Sequence, residues 1–270
     1  MVAIVDERID IGGVPFNVRI DGGGGNVPWL TFSNSHATDL HLWDRQAALF
    51  GSEFRILRYD TRGHGATGTS PGVYDMRDLA ADVIAIWDAL GIRKSHVIGL
   101  SLGGTTGLEL AAAYPGRILS LAACDCRHTA TADFAAAWGP RVELARSRGM
   151  DALVEPTVER WFTPSFRDRN PPEIEKIRAM IRTTSVAGYI GCADALKGID
   201  TVRRLGDIRC PVLAIGGAFD PPAPPALMAD LAARIEEARH VVIADAAHMA
   251  HIEQPDAFNR ELGTFLAEVA

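Results

Sequence analysis

The sequence predicts an α/β fold: a mostly parallel sheet flanked by helices, with a helical cap inserted after the sixth strand. Three observations lead there. Short β-favouring runs alternate with amphipathic helical runs over most of the 270 residues. The run His96-Val97-Ile98 leads through Gly99-Leu100-Ser101-Leu102-Gly103-Gly104 into a helix-favouring segment that stops at Pro115-Gly116. Between about Arg127 and Leu205 the alternation breaks, arginine is abundant, and Pro140, Pro156, Pro164 and Pro171-Pro172 punctuate helical sequence. The expected domains are therefore a core of residues 1–126 and 206–270 and a cap of residues 127–205.

The elements follow in order. The tetraglycine Gly22–Gly25 lies between two β-like runs, Phe16 to Ile20 and Trp29 to Phe32, and reads as a flexible hairpin connection. A phosphate-cradling loop would need a helix next, and Pro28-Trp29 starts none. Arg55–Tyr59 reads as a strand. Asp75 caps a helix running to Leu90, with Leu79, Val83, Ile86, Trp87 and Leu90 on one face. His96–Leu100 and Leu119–Cys124 read as strands, with a helix over Thr105–Tyr114 between them. After the cap come two more strands, Val212–Ile215 and Val241–Ile243. The last helix starts at Pro255, a favourable first-turn position, and presents Phe258, Leu262, Phe265, Leu266 and Val269. Ligands of open parallel sheets bind at the carboxyl ends of the strands, so the cap is expected over that edge.

Composition narrows the function classes. An apolar content of 47% and a charged content of 23% are near globular averages and exclude disorder. The net charge of −7 argues against nucleic acid and anionic membrane as partners, so a small molecule is expected, with a homo-oligomer left open. An anionic ligand would have to be held by local arginines. The N-terminal segment Met1–Glu7 lacks the pattern of a signal peptide. The longest apolar run, Leu79–Leu90, carries Asp82 and Asp88 and is too short to span a bilayer. Four cysteines are too few for a disulfide scaffold, which favours a reduced, cytoplasmic setting. Cys124 and Cys126 lack a second ligand pair at zinc-site spacing and read as small buried residues near a strand end.

A serine hydroxyl is a weak nucleophile at neutral pH and needs a base within reach. Strand, G-x-S-x-G and helix together are the setting of a nucleophile elbow, where a serine on a strained turn requires Gly99 and Gly103 two residues either side. The alternative is an ordinary glycine-rich turn. Of eight histidines, His248 lies between the last strand and the last helix, where a base at the sheet edge belongs. His251 is its rival, and otherwise a surface residue or a support for the base. His96 starts a strand and His240 flanks one, so both read as structural. His248 and His251 lack a third ligand in a metal-site pattern, and no metal is implied. Asp220, after the strand Val212–Ile215, is the expected orienting acid; Asp125, ending the preceding strand, is the alternative. Asp220 also suits a turn before Pro221-Pro222. An oxyanion hole needs two N–H donors: that of Leu102, and one from the loop Ser33–Ala37, His36 first and Ser35 next.

Further segments complete the pattern: Phe32-Ser-Asn-Ser-His-Ala-Thr-Asp-Leu-His-Leu-Trp43, Leu57-Arg-Tyr-Asp-Thr-Arg-Gly-His-Gly65, Arg160-Trp-Phe-Thr163, Gly188-Tyr189, and His248 followed by Ile252-Glu-Gln-Pro255. From about residue 15 to the C-terminus the chain resembles the α/β-hydrolase superfamily, whose members carry serine, acid and histidine in this order. More narrowly it resembles the 3-oxoadipate enol-lactonases. Those lactonases usually have Leu-Gly in place of His36-Ala37, Met in place of Leu102, and Asn-Thr-Ala-Ala in place of Asp125-Cys-Arg-His128.

The resemblance implies catalytic Ser101, Asp220 and His248, oxyanion donors at His36 and Leu102, an acyl-enzyme, a small acidic lactone as substrate, and no cofactor. It offers Ser35, Arg127, Trp138, Arg160 and Trp161 as substrate contacts, an arginine fork being the best partner for a carboxylate. The plain alternative is solvated arginines and core tryptophans. A carboxylesterase, a lactonase for another ring, a carbon–carbon bond hydrolase or a perhydrolase would keep the same triad. So would a non-enzymatic ligand receptor.

Overall fold

The computed structural model describes residues 3–22, 27–169 and 171–269. Strands β1 (Ala3–Ile11), β2 (Val14–Gly22), β3 (Trp29–Ser33), β4 (Arg55–Tyr59), β5 (Ser95–Leu100), β6 (Ile118–Cys124), β7 (Val212–Gly217) and β8 (Ala238–Ile243) form one sheet in the order β1-β2-β4-β3-β5-β6-β7-β8. β2 pairs antiparallel with β1 and β4, and from β4 through β8 every pairing is parallel. The hairpin expected around the tetraglycine does not form, because β4 lies between β2 and β3 and pairs with both. Ile56 and Leu57 of β4 are fully buried, one on each face, and such a strand belongs in the sheet interior. Gly23–Gly25 themselves lie outside the described residues.

Helices α1 (Asp44–Phe50), α2 (Met76–Ala89) and α3 (Leu102–Ala113) alternate with the strands. Between β6 and β7 the cap contributes α4 (Ala132–Ala136), α5 (Trp138–Arg148), α6 (Val154–Trp161), α7 (Pro164–Asp168), α8 (Pro172–Thr183) and α9 (Val186–Lys197). The core closes with α10 (Pro225–Ala233), α11 (Ala250–Glu253) and α12 (Pro255–Val269). Asp75 and Asp78 cap α2 reciprocally, and α12 buries Phe258, Leu262, Phe265 and Leu266. α3 starts at Leu102, earlier than its composition suggests, and His240 lies within β8 rather than beside it.

Successive residues of the central strands serve opposite faces. Ile98 and Leu100 pack with Trp43, Phe258 and Leu262, whereas Val97 packs with Val83, Trp87, Leu108 and Leu231. Both faces are thus covered by helices, as a parallel sheet requires. The cap is tied to the core by backbone acceptors: the N–H and Oγ–H of Ser185, which caps α9, both donate to Gly63 O, at 3.2 and 2.9 Å. All four cysteines are free and buried. Among the described residues no helix is long and apolar enough to cross a membrane.

Candidate active site

Ser101, Asp125, Asp220 and His248 follow the carboxyl ends of the neighbouring strands β5, β6, β7 and β8, and His36 follows β3. Among the described residues the non-glycine positions with positive φ are Ala37, Ser101, Asp125 and Asp245, in the loops after β3, β5, β6 and β8. Such conformations cost energy and persist only where surrounding structure enforces them. Backbone strain is therefore gathered at one edge of the sheet, beneath the cap.

Ser101 has φ 55° and ψ −111° and sits between β5 and the first residue of α3. Its N–H donates to Cys124 O at 2.8 Å, which pins the turn to the neighbouring strand. A Cβ on Gly99 would strike Gly103 O, and one on Gly103 would strike Ser33 O, so only glycine fits at either position. The Gly103 N–H donates to Asn34 O at 3.0 Å, joining the elbow to the loop that carries His36. The amide of Leu102 opens α3 and has no intrahelical acceptor, as expected for a first-turn donor.

The His248 Nδ1–H donates to Asp220 Oδ2 at 2.9 Å, with both side chains buried. That bond leaves Nε2 as the basic nitrogen. Asp125, the other candidate acid, is held by the Gly217 N–H, which donates to its Oδ1 at 2.7 Å. Burial, and then the negative charge of Asp220, hold the Asp125 carboxyl well above the usual carboxylate range. Asp125, Asp220 and His248 offer ligand atoms within 4.8 Å of one another, the spacing of a metal site. Within that cluster the Asp220–His248 hydrogen bond engages Nδ1 and one of the carboxylate oxygens.

His251 is neither on the surface nor a competing base. The short turn of α11 buries it between Trp43 and Phe258, with ring centroids at 4.8 and 5.8 Å. Burial, and then the charge of His248, push its imidazole down to about 3. His96 is buried with Nδ1 2.8 Å from Ser120 Oγ, a structural contact.

A cavity lies between sheet edge and cap. Ser101, Asp125 and His248 line its floor, with His36 and Ala37 beside them; Arg127, Trp138, Arg160 and Trp161 line the wall. Ser35 is not part of the lining: it is fully buried and its carbonyl accepts from Thr38. Arg127 lines the cavity, but its guanidinium is engaged by Thr129 O and Pro222 O. Trp161 packs on His248 with ring centroids 5.9 Å apart.

Three contributors receive no role from the sequence. Arg141, over the Trp138 ring at 5.0 Å, lines the cavity with Arg160, and among the described residues neither is paired with a carboxylate. The spacing Trp138-x-x-Arg141 on one helix face was the available signal. Burial, and then Arg141, pull the Arg160 guanidinium down to about 10 against the charge of Asp220, so it stays charged at neutral pH. Tyr189 O accepts from the His36 Nε2–H at 2.9 Å, and their rings lie 4.3 Å apart. Burial, and then His64, push His36 well below its usual value, so it is neutral. Glu253 is buried, its Oε1 accepting the Ala247 N–H at 2.7 Å and its Oε2 the Thr163 N–H and Oγ1–H at 3.1 and 2.6 Å. It fastens the His248 loop to the cap.

The chain belongs to the alpha/beta hydrolase fold family, whose model matches residues 22–255. It is similar to two proteins of Acinetobacter baylyi. One, 3-oxoadipate enol-lactonase 2, is 37% identical over 239 residues, 88% of each chain. The other, 3-oxoadipate enol-lactonase 1, is 32% identical over 257 residues, 95% of each chain. The crystal structure of the enol-lactonase from Burkholderia xenovorans LB400 aligns with a TM-score of 0.93 at 37% identity, over 97% of this chain and 100% of that one.

Proposed function

We propose that this protein is a serine hydrolase that opens a small carboxylate-bearing lactone, 3-oxoadipate enol-lactone or a near relative, through an acyl-enzyme. The carrying observation is a single cavity that joins Ser101 and the Asp220-bonded His248 to two guanidinium groups that form no ion pair among the described residues. The names of the enol-lactonase relatives support the choice of ring.

In this reading His248 Nε2 takes the Ser101 proton as Oγ attacks the lactone carbonyl. The N–H groups of His36 and Leu102 receive the oxyanion, and Asp220 holds the tautomer and stabilises the imidazolium. Collapse breaks the ring C–O bond, and the departing enol oxygen accepts the proton from His248 before the enol becomes a ketone. Water, deprotonated by His248, then cleaves the ester and releases a keto diacid. Arg141 and Arg160 hold the substrate carboxylate, while Arg127 serves as wall. The four free thiols suit a reducing, cytoplasmic compartment.

Hydrolysis of 3-oxoadipate enol-lactone, measured beside that of a neutral nitrophenyl acetate, tests the reading. Fast lactone turnover, little ester turnover, and a loss of about 10⁴-fold or more in Ser101→Ala are expected. Ester turnover without lactone turnover would move the substrate class, and an active Ser101→Ala would remove the nucleophile.

A further inference from the structure

Among the buried polar atoms of the site that lack a partner are two carboxylate oxygens. Asp125 Oδ2 and Asp220 Oδ1 are buried acceptors with no donor among the described residues. Both side chains are fully buried, and their carboxylates lie within the 4.8 Å cluster that also contains His248. Each carboxylate is fixed by its other oxygen, Asp125 by the Gly217 N–H and Asp220 by His248. Two ionised carboxylates in such a place repel strongly, while one proton between them turns an orphaned acceptor into a donor.

We propose that Asp125 is a protonated carboxylic acid that donates its O–H to Asp220, extending the relay to Asp125, Asp220, His248 and Ser101. Asp125 is then a positioning residue: it touches no reacting atom, and acts by fixing the second oxygen of Asp220. The left-handed φ of 44° at Asp125 fits this role, since the strained turn carries its carboxyl to the end of β7. The raised pKa of Asp125 agrees with a retained proton.

The surroundings do not supply another counter-charge at Asp125. Glu253, on α11, adds negative charge, and the Cys124 and Cys126 thiols on its own strand end are pushed up by burial and by Asp125. Arg127 faces Asp220 and Cys126, and its guanidinium is engaged by carbonyls. His248, from the β8 loop, is committed to Asp220.

The idea rests on the serine-hydrolase reading, and two measurements separate them. Infrared difference spectra between wild type and Asp125→Asn near neutral pH should show the carbonyl stretch of a protonated carboxylic acid in the wild type only. Absence of that band overturns the proposal whatever the enzyme hydrolyses. Labelling of Ser101 by a fluorophosphonate tests the hydrolase reading alone. In kinetics, Asp125→Asn keeps both the acceptor for Gly217 and a donor for Asp220, and should hold kcat within about threefold of wild type. Asp125→Ala should lose about tenfold to a hundredfold in kcat with little change in KM. An Asp125→Asn variant as impaired as Asp125→Ala would refute the donor role.

The pH sign follows. The folded state keeps a proton that the unfolded chain has lost, so stability from this group is present below the ordinary aspartate range and declines as pH rises. Wild-type Tm should therefore fall relative to Asp125→Asn as pH rises above the ordinary aspartate range. On the alkaline side, loss of the Asp125 proton sets two carboxylates face to face, and wild-type kcat should decline where Asp125→Asn keeps its plateau.

Discussion

On the sheet side of the cavity the chemical groups follow strand ends, with the Ser101 and Asp125 turns held by backbone bonds, whereas on the cap side Arg141 and Arg160 stand on helices among aromatic side chains. The Ser101 N–H donates to Cys124 O and the Asp125 N–H to Ile215 O, at 2.8 and 2.9 Å, so neighbouring strand ends are sewn together turn by turn. Arg141 and Arg160 come from α5 and α6; Arg141 lies over the Trp138 ring, and its charge opposes that of Arg160. The sheet side is acidic and buried; the cap side is cationic and half-buried. One side can be kept for bond-breaking while the other changes with the substrate, because helix faces tolerate exchange that strained strand-end turns do not.

The comparison can be broken at several levels. The largest effect is expected on the sheet side: Asp220→Asn should leave the protein folded but lower kcat by about 10⁴-fold, since an amide fixes the wrong imidazole tautomer. A loss under about tenfold would mean that Asp125 can take over the role. The joint between the sides gives the next effect. Glu253→Ala strips acceptors from the buried Ala247 and Thr163 N–H groups and should cost roughly 3 kcal/mol, lowering Tm by roughly 5 to 10 °C. An unchanged Tm in thermal unfolding would show that the cap is held elsewhere, through Ser185 and Tyr189.

The same contrast governs what could be read from the sequence. The placement of Ser101, Asp220 and His248 at one sheet edge was legible because strand-end turns constrain composition, so glycine spacing and position in the alternation locate them. Arg141 was not, because the direction an α5 face looks depends on how the cap settles on the core. Arg127 was legible as a cavity residue but not as an engaged one, since only the fold brings Pro222 O to its guanidinium. His251 misled for the same reason: a polar residue in a loop-like stretch is tucked under Trp43 by a single turn of helix. The order of β2, β3 and β4 was hidden too, because a long glycine linker is compatible with crossing over a strand as well as with a hairpin.

The most direct measurement compares kcat/KM for a carboxylate-bearing lactone with that for its uncharged methyl ester, in wild type and in the Arg141→Ala, Arg160→Ala double variant. With chemistry on the sheet side and charge recognition on the cap side, the preference for the charged substrate should fall about a hundredfold, while turnover of the neutral one stays within about threefold. Equal losses on both substrates would contradict that division, and an unchanged preference would mean that the carboxylate is bound elsewhere.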